Sequence, residues 1–421
     1  MEYGLLTPFS LSNAIIIGWC VRAIFRQMRR LDFYTIFYLF SLFFFGVAPL
    51  VQWSCGLTLA PLYDEELSAQ DFTRINVIVL ALFAAFELLY RRFSQFESSD
   101  AYEASDLSMR RFPIWVLVVA VPAYMFLWYQ EFNPINLLLR GGGGERENEA
   151  KMAVLVCGFF CRYVPLSAAF IYWLYGRHRK TVGILLWIVA VAFCLPTGMA
   201  RLQIVPVYLP AVMVCVPFVR ERKYLIVLGL VFGLLIVFPF LHLFREVDIN
   251  ADDFQLFDFS FFNSLHFDSF ASFAYIVKQD FVTNGQQLLG ATLFWVPRSI
   301  WPNKPIESGR MIAETFDLGI PNDFTNIAVN YFAEGYLNFG YWGVALWLVA
   351  VAYICARADC LFWVSAENFK RPACLYYFSG IGMLFFLLRG DMMAGVSFSL
   401  GLMASHKVME IVMLRKDGPN K

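Results

Sequence analysis

Apolar runs long enough to cross a bilayer recur along the whole of this 421-residue chain, and nothing else in it constrains the fold as strongly. A run of about 18 or more apolar residues reads as a membrane helix, because in hydrocarbon a helix bonds its own backbone groups. Eleven such segments are read, over 5–21, 33–51, 73–90, 112–130, 152–175, 181–196, 202–219, 224–242, 330–356, 373–388 and 392–412. Composition agrees: 59% of residues are hydrophobic and 16% charged, against about 25% charged in a soluble domain. The expected fold is an all-α polytopic membrane protein of about 11 transmembrane helices, with one large outer loop that carries short amphipathic helices. The formal net charge is zero, so no field argues for nucleic acid, and the lipid bilayer is the partner that composition points to. Residues 1–8 carry no basic lead and the first run has no small-residue cleavage site, so no cleavable signal peptide is expected.

Lys and Arg in the short connections set the orientation. One alternate set of connections is basic: Arg22, Arg26, Arg29 and Arg30; Arg91, Arg92, Arg110 and Arg111; Arg177, Arg179 and Lys180; Arg220, Arg222 and Lys223; Arg357, Lys370 and Arg371; and the tail with Lys407, Arg415, Lys416 and Lys421. That set is read as cytoplasmic, which puts the N-terminus outside and the C-terminus inside a bacterial inner membrane. The chain then divides into helices over 1–243, a large periplasmic loop over 244–329, and the last three helices with the tail over 330–421. A loop of that length is usually functional. Within it, Phe270, Phe273, Ala274, Val277 and Phe281 recur at spacings of three and four. That is one apolar face of an amphipathic helix, expected to lie on the membrane or on the other spans. The cysteines fall mostly in or beside spans and form no CxxC or Cys/His cluster, so neither a metal nor another cofactor is expected.

Three outer segments have the residue types of a binding or catalytic site. Pro196-Thr197-Gly198-Met199-Ala200-Arg201 closes one span and opens the next. Free backbone N–H groups in its turn and the Arg201 fork can hold a phosphate, or Arg201 can simply snorkel to the interface. Val296 to Pro305 places Arg298, Trp301 and Lys304 among three prolines, with Arg310 shortly after. Such a stretch suits an anion and a sugar face, or a rigid loop with an aromatic anchor. Asn330 to Gly340 carries Glu334 beside Tyr331 and Tyr336. Glu334 can serve as a general base, or as a solvated cap or counter-ion. Arg389 and Asp391 share a turn and can pair, or Arg389 can contact phosphate. His266 and Asp268 flank Phe267, and a His–carboxylate pair can move a proton. Arg162 falls near the middle of the fifth span, where an arginine is costly and usually faces a polar cavity or a partner.

These words and their layout resemble the bacterial oligosaccharide repeat-unit polymerases of the Wzy type. Thr197-Gly198-Met199-Ala200-Arg201 is similar to that family's Gly-Ser-Arg-like outer turn, departing from it at Met199-Ala200. Pro297-Arg298-Ser299-Ile300-Trp301-Pro302-Asn303-Lys304-Pro305 resembles its Pro-Arg-x-x-Trp-Pro-x-Lys-Pro word, and Glu334 to Gly340 and Arg389-Gly390-Asp391 resemble others. The resemblance implies a periplasmic-face glycosyltransferase that builds O-antigen, common antigen or capsule from undecaprenyl-diphosphate-linked oligosaccharide, alongside a chain-length regulator. It further implies that Arg201, Arg298 and Arg310 hold the diphosphate with Lys304, Arg389 and Arg162. Glu334 or His266 would take the proton of the attacking hydroxyl, and Trp301, Tyr331 or Tyr336 would lie against sugar. A ligase-type transferase, a transporter or flippase of lipid-linked sugar, and a non-catalytic assembly partner are the competing expectations.

Overall fold

The computed structural model describes residues 7–26, 30–55, 67–95, 107–110, 114–138, 153–176, 180–233, 267–316 and 327–416, with Arg201, Leu202 and Lys416 described by their backbones alone. The chain is helical almost throughout these residues. The helices are α1 (Pro8–Phe25), α2 (Phe33–Ser54), α3 (Ala69–Ser94), α4 (Ile114–Tyr129), α5 (Val154–Tyr175), α6 (Lys180–Phe193), α7 (Arg201–Cys215) and α8 (Lys223–Phe232). After these come α9 (Ser269–Lys278), α10 (Gln286–Thr292), α11 (Ser308–Thr315), α12 (Tyr331–Trp363), α13 (Pro372–Arg389) and α14 (Met392–Met413). Among the described residues, eight helical segments are long and apolar enough to cross a membrane, and α4, α7 and α8 are shorter apolar helices. The protein is thus an all-α, multi-pass membrane protein.

Contacts sort the helix ends into two sets. At one end, Phe9 packs its ring 5.0 Å from Trp53, 5.7 Å from Phe72 and 6.1 Å from Phe270, and Arg74 donates to the Tyr341 hydroxyl at 2.9 Å. At the other, Arg26 and Arg91 meet Glu87 at 3.2 and 3.4 Å, Arg30 lies over Trp363 and Arg220 over Phe369. Here too a short antiparallel pair joins β1 (Leu107–Met109) to β2 (Leu414–Lys416). That pairing holds the connection between α3 and α4 against the C-terminal tail, so both lie on one face. Two of the six basic connections expected to share a side are thereby physically joined.

Two breaks shape the helices near the first face. In α5 a π-turn over Val154–Gly158 and a tight 3₁₀ turn over Cys161–Tyr163 precede the regular helix. Arg162 stands in this turn, inside the span as expected. Its Nε donates to the Phe193 carbonyl at 2.8 Å and its Nη2 to the Gly198 carbonyl at 3.1 Å, with Phe126 under the guanidinium. These are carbonyls freed where α6 ends, so Arg162 caps that helix.

The second break divides α12. Asn330 caps its start, accepting from the backbone N–H groups of Phe332 and Ala333. The helical conformation then fails at Phe339 and at Gly340, which sits at φ 59 and ψ −146, a region that essentially only glycine occupies. The carbonyls of Leu337 and Asn338 lose their helical partners and accept instead from the Thr283 and Gly285 N–H groups, at 2.7 and 2.9 Å. Beyond the bend, Gly343 presses on Gly335 so closely that a Cβ on Gly343 would lie 1.9 Å from the Gly335 oxygen. Gly343→Ala is expected to cost about 1–3 kcal/mol and to lower the thermal midpoint of the detergent-solubilised protein. Gly18→Ala, where a Cβ meets nothing, is the control. Residues 331–338 are all buried, and 341–363 remain long enough to cross a core of about 30 Å.

The first two turns of α12, with α9, α10 and α11, therefore form a separate layer over the first face. Helix α9 departs from the expected one-sided amphipathic helix. Ser269 through Val277 are buried all round, wedged against α2, α3 and α12.

Candidate active site

The layer's polar centre lies where α11, the head of α12 and the start of α14 meet. Each element gets there for a local reason: Asn330 starts α12, Asp391 caps α14 by accepting from the Ala394 N–H at 3.0 Å, and α11 begins at Ser308. Glu334 is 1% exposed. One of its oxygens accepts from the Met392 N–H at 3.0 Å and the other from the Ser308 hydroxyl at 3.0 Å. The Ser308 N–H donates in turn to Asp391 Oδ2. One serine thus bridges two buried carboxylates. Gln287 stands behind them, its Oε1 3.5 Å from the Ser308 hydroxyl. Burial lifts both carboxyls above their ordinary range, with the charge of Asp391 adding to the rise at Glu334 and that of Glu307 to the rise at Asp391. No cation among the described residues is ion-paired with Glu334 or Asp391. The cluster is a hydrogen-bonded pair of carboxyls rather than an ion pair.

Glu334 and Met392 also line the head of a cavity of about 1270 Å³ between α12, α13 and α14. Its walls are Trp347, Val351, Leu384, Val396, Leu400 and Met403, and its far end reaches Lys407 and Glu410. From Met392 to Glu410 along α14 is about 27 Å at 1.5 Å per residue, close to the thickness of a hydrocarbon core. The cavity therefore has the length, the apolar walls and the polar head suited to a lipid whose headgroup reaches Glu334.

The cations that sequence reasoning grouped as phosphate ligands have protein partners of their own. Arg298 donates to the Lys304 carbonyl at 2.7 Å and the Pro305 carbonyl at 3.2 Å. Lys304 Nζ donates to the carbonyls of Phe294 and Val296, at 2.5 and 3.0 Å. Arg310 makes an exposed pair with Glu314 at 2.6 Å. Arg389 turns toward Asp268 and lies 5.9 Å from the Phe44 ring centre, while Asp391 serves Ser308 and Ala394. Tyr336 is buried, donating to Asp280 at 2.6 Å and meeting Tyr341 edge-on. Trp301 is half-buried in the loop that Arg298 and Lys304 close. The Gly198 N–H is taken by the Leu195 carbonyl. His266 and the Arg201 side chain lie outside the described residues.

Asp268 forms a second polar point of the layer. It is fully buried, and its Oδ2 accepts from the Ala328 N–H at 3.0 Å. Burial lifts its carboxyl from 3.8 to about 7, although Arg389 and the hydrogen bond act in the opposite sense. A folded value above the unfolded one means that the folded layer holds the proton more tightly. That contribution is complete below about pH 4 and is lost as the pH rises through about 7. Thermal midpoints in detergent should therefore fall over this window, and Asp268→Asn should flatten the slope.

The fold and site together define a multi-pass helical membrane protein with a buried acidic cluster at the head of a lipid-sized groove. Family models, curated proteins and solved structures yield no match to the chain.

Proposed function

We propose that the protein is a glycosyltransferase of the bacterial inner membrane that polymerises undecaprenyl-diphosphate-linked oligosaccharide on the periplasmic face. In this reading the chain crosses eleven times, α4, α7 and α8 included, with the acidic cluster outside and the basic connections inside. The observation that carries the reading is the Glu334–Ser308–Asp391 cluster at the mouth of the groove. A lipid tail in the groove brings its diphosphate and first sugar to a buried proton acceptor.

The chemistry balances there. An acceptor sugar hydroxyl attacks the anomeric carbon, and its oxygen forms the new glycosidic bond. The bond from that carbon to the lipid diphosphate breaks, and the diphosphate leaves with the lipid. The hydroxyl proton passes to Glu334, with Ser308 linking Glu334 to Asp391. Developing charge on the diphosphate is met by the donors that Arg298 keeps beyond its two loop carbonyls and by the exposed Arg310. The middle of the groove is lined mainly by apolar side chains, with its charged residues gathered toward the two ends, which disfavours carriage of the sugars themselves through the membrane. Purified protein given lipid-linked repeat units will yield a ladder of polymer. Consumption of repeat units only when lipid A core is added would instead make it a ligase, and no consumption at all would end the transferase reading.

A further inference from the structure

We propose that residues 286–305 form a membrane-seated platform: α10 and the proline-rich loop after it rest in the outer leaflet instead of standing in the periplasm. The inference depends on the multi-pass reading and its sidedness, not on the transferase chemistry. Its first support is the sequence from 285 to 297, which holds no charged residue although it belongs to the large outer loop. The second is exposure: Leu289, Trp295 and Ile300 are 49%, 57% and 75% exposed. Three large apolar side chains so close together would form a poor water-facing surface.

Depth is set by neighbours. Gly290 lies so close to Met393 that a Cβ there would be 2.8 Å from the Met393 methyl, and Met393 is in the first turn of α14. Helix α10 therefore sits level with the top of a membrane-crossing helix. On the other flank, Gly285 packs on Phe339 at the bend of α12. There the crossing part of α12 begins with Tyr341 and with Trp342, 86% exposed, as an aromatic belt does at a bilayer surface. The exposed face of 286–305 thus continues the lipid-facing surface of α12 and α14.

This placement explains the two cations. Irregular backbone near hydrocarbon must have its carbonyls bonded within the protein. Arg298 covers those of Lys304 and Pro305, and Lys304 covers those of Phe294 and Val296. The Leu288 N–H is taken by the Asn338 side chain at 2.8 Å. Arg298 and Lys304 are on this account clamps that let a non-helical loop lie against lipid.

The test uses the full chain in nanodiscs of phosphatidylethanolamine and phosphatidylglycerol. The photo-crosslinker p-benzoylphenylalanine replaces, singly, Leu289, Trp295, Ile300, Leu117 as a lipid-facing control in α4, or Arg310 as a water-facing control. After irradiation, intact mass reports covalent phospholipid. Adduct at 289, 295 and 300 should match position 117 and exceed position 310 by about tenfold, a difference of about 1.4 kcal/mol in partitioning. Adduct no higher than at 310 overturns the platform. Protein–protein adducts in place of lipid would assign the surface to a second copy and overturn it equally. Lipid adduct from a protein that makes no polymer would leave the platform standing and the transferase reading refuted.

Discussion

A chain carrying Glu334→Gln will reach the membrane at normal abundance and make almost no long polymer. Glutamine keeps the volume of the side chain, so the tight seat beside Ser308 and Met392 survives. What it loses is the ability to take a proton, and one oxygen becomes an NH₂ that must face either a backbone N–H or a hydroxyl. A positioned general base contributes about 10²–10⁴-fold, so rate from purified protein should fall by at least about a hundredfold. Glu334→Asp should recover part of it. The wild type should also lose activity as the pH falls, because only unprotonated Glu334 accepts a proton, and burial with the charge of Asp391 holds its carboxyl above the ordinary range. Asp391→Asn, which takes away that charge, should move the loss to lower pH. An unchanged ladder length with Glu334→Gln, at equal thermal stability, would take Glu334 out of the mechanism.

Glu334 was legible because a carboxylate in an otherwise uncharged aromatic and apolar stretch needs a reason to be there. Its partners were harder to see. Ser308 stands in a polar stretch that gives no local sign of burial. Asp391 enters the sequence reading only as one possible partner of Arg389, yet Asp391-Met392-Met393-Ala394 is an acidic cap ahead of an apolar helix, a signal available in the sequence. The membrane segments were legible because hydrophobicity over some 20 residues is a property of composition alone. The breaks inside them were not. Whether Gly340 bends α12 depends on the Thr283 and Gly285 N–H groups arriving to donate to the released carbonyls of Leu337 and Asn338, which is tertiary information. For the same reason the sequence could not distinguish an arginine that holds a ligand from one that holds a carbonyl. Arg162, Arg298 and Lys304 hold carbonyls, and only the path of the backbone reveals it.

On the opposite face, Asp359→Ala should be strongly destabilising. Asp359 is 6% exposed and accepts four hydrogen bonds. Its Oδ1 takes the Phe33 N–H at 2.9 Å and the Tyr377 hydroxyl at 2.6 Å, and its Oδ2 takes the Tyr34 N–H at 3.3 Å and the Tyr90 hydroxyl at 2.8 Å. Phe33 and Tyr34 open α2, so a carboxylate from α12 covers that helix's first free donors and meets its positive end. Tyr90 and Tyr377 bring in α3 and α13, and Phe362 stacks on Tyr377 with ring centres 4.0 Å apart. One side chain therefore ties four helices together. Removing it leaves the two backbone donors buried without their acceptor, while the Tyr377 hydroxyl keeps the Leu31 carbonyl at 3.4 Å, a loss of about 2–6 kcal/mol at about 1–3 kcal/mol for each orphaned donor. Asp359→Asn should cost less, about 1–3 kcal/mol: the tyrosine hydroxyls can turn to accept from the new NH₂, but a backbone N–H cannot. Thermal midpoints in detergent, with exposed Leu361→Ala as the reference, measure both. A shift for Asp359→Ala no larger than that reference would refute the four-helix tie. Because the tie lies on the face away from Glu334, whatever protein remains folded should turn over at the wild-type rate, and a parallel loss of specific activity would mean that the two faces are coupled.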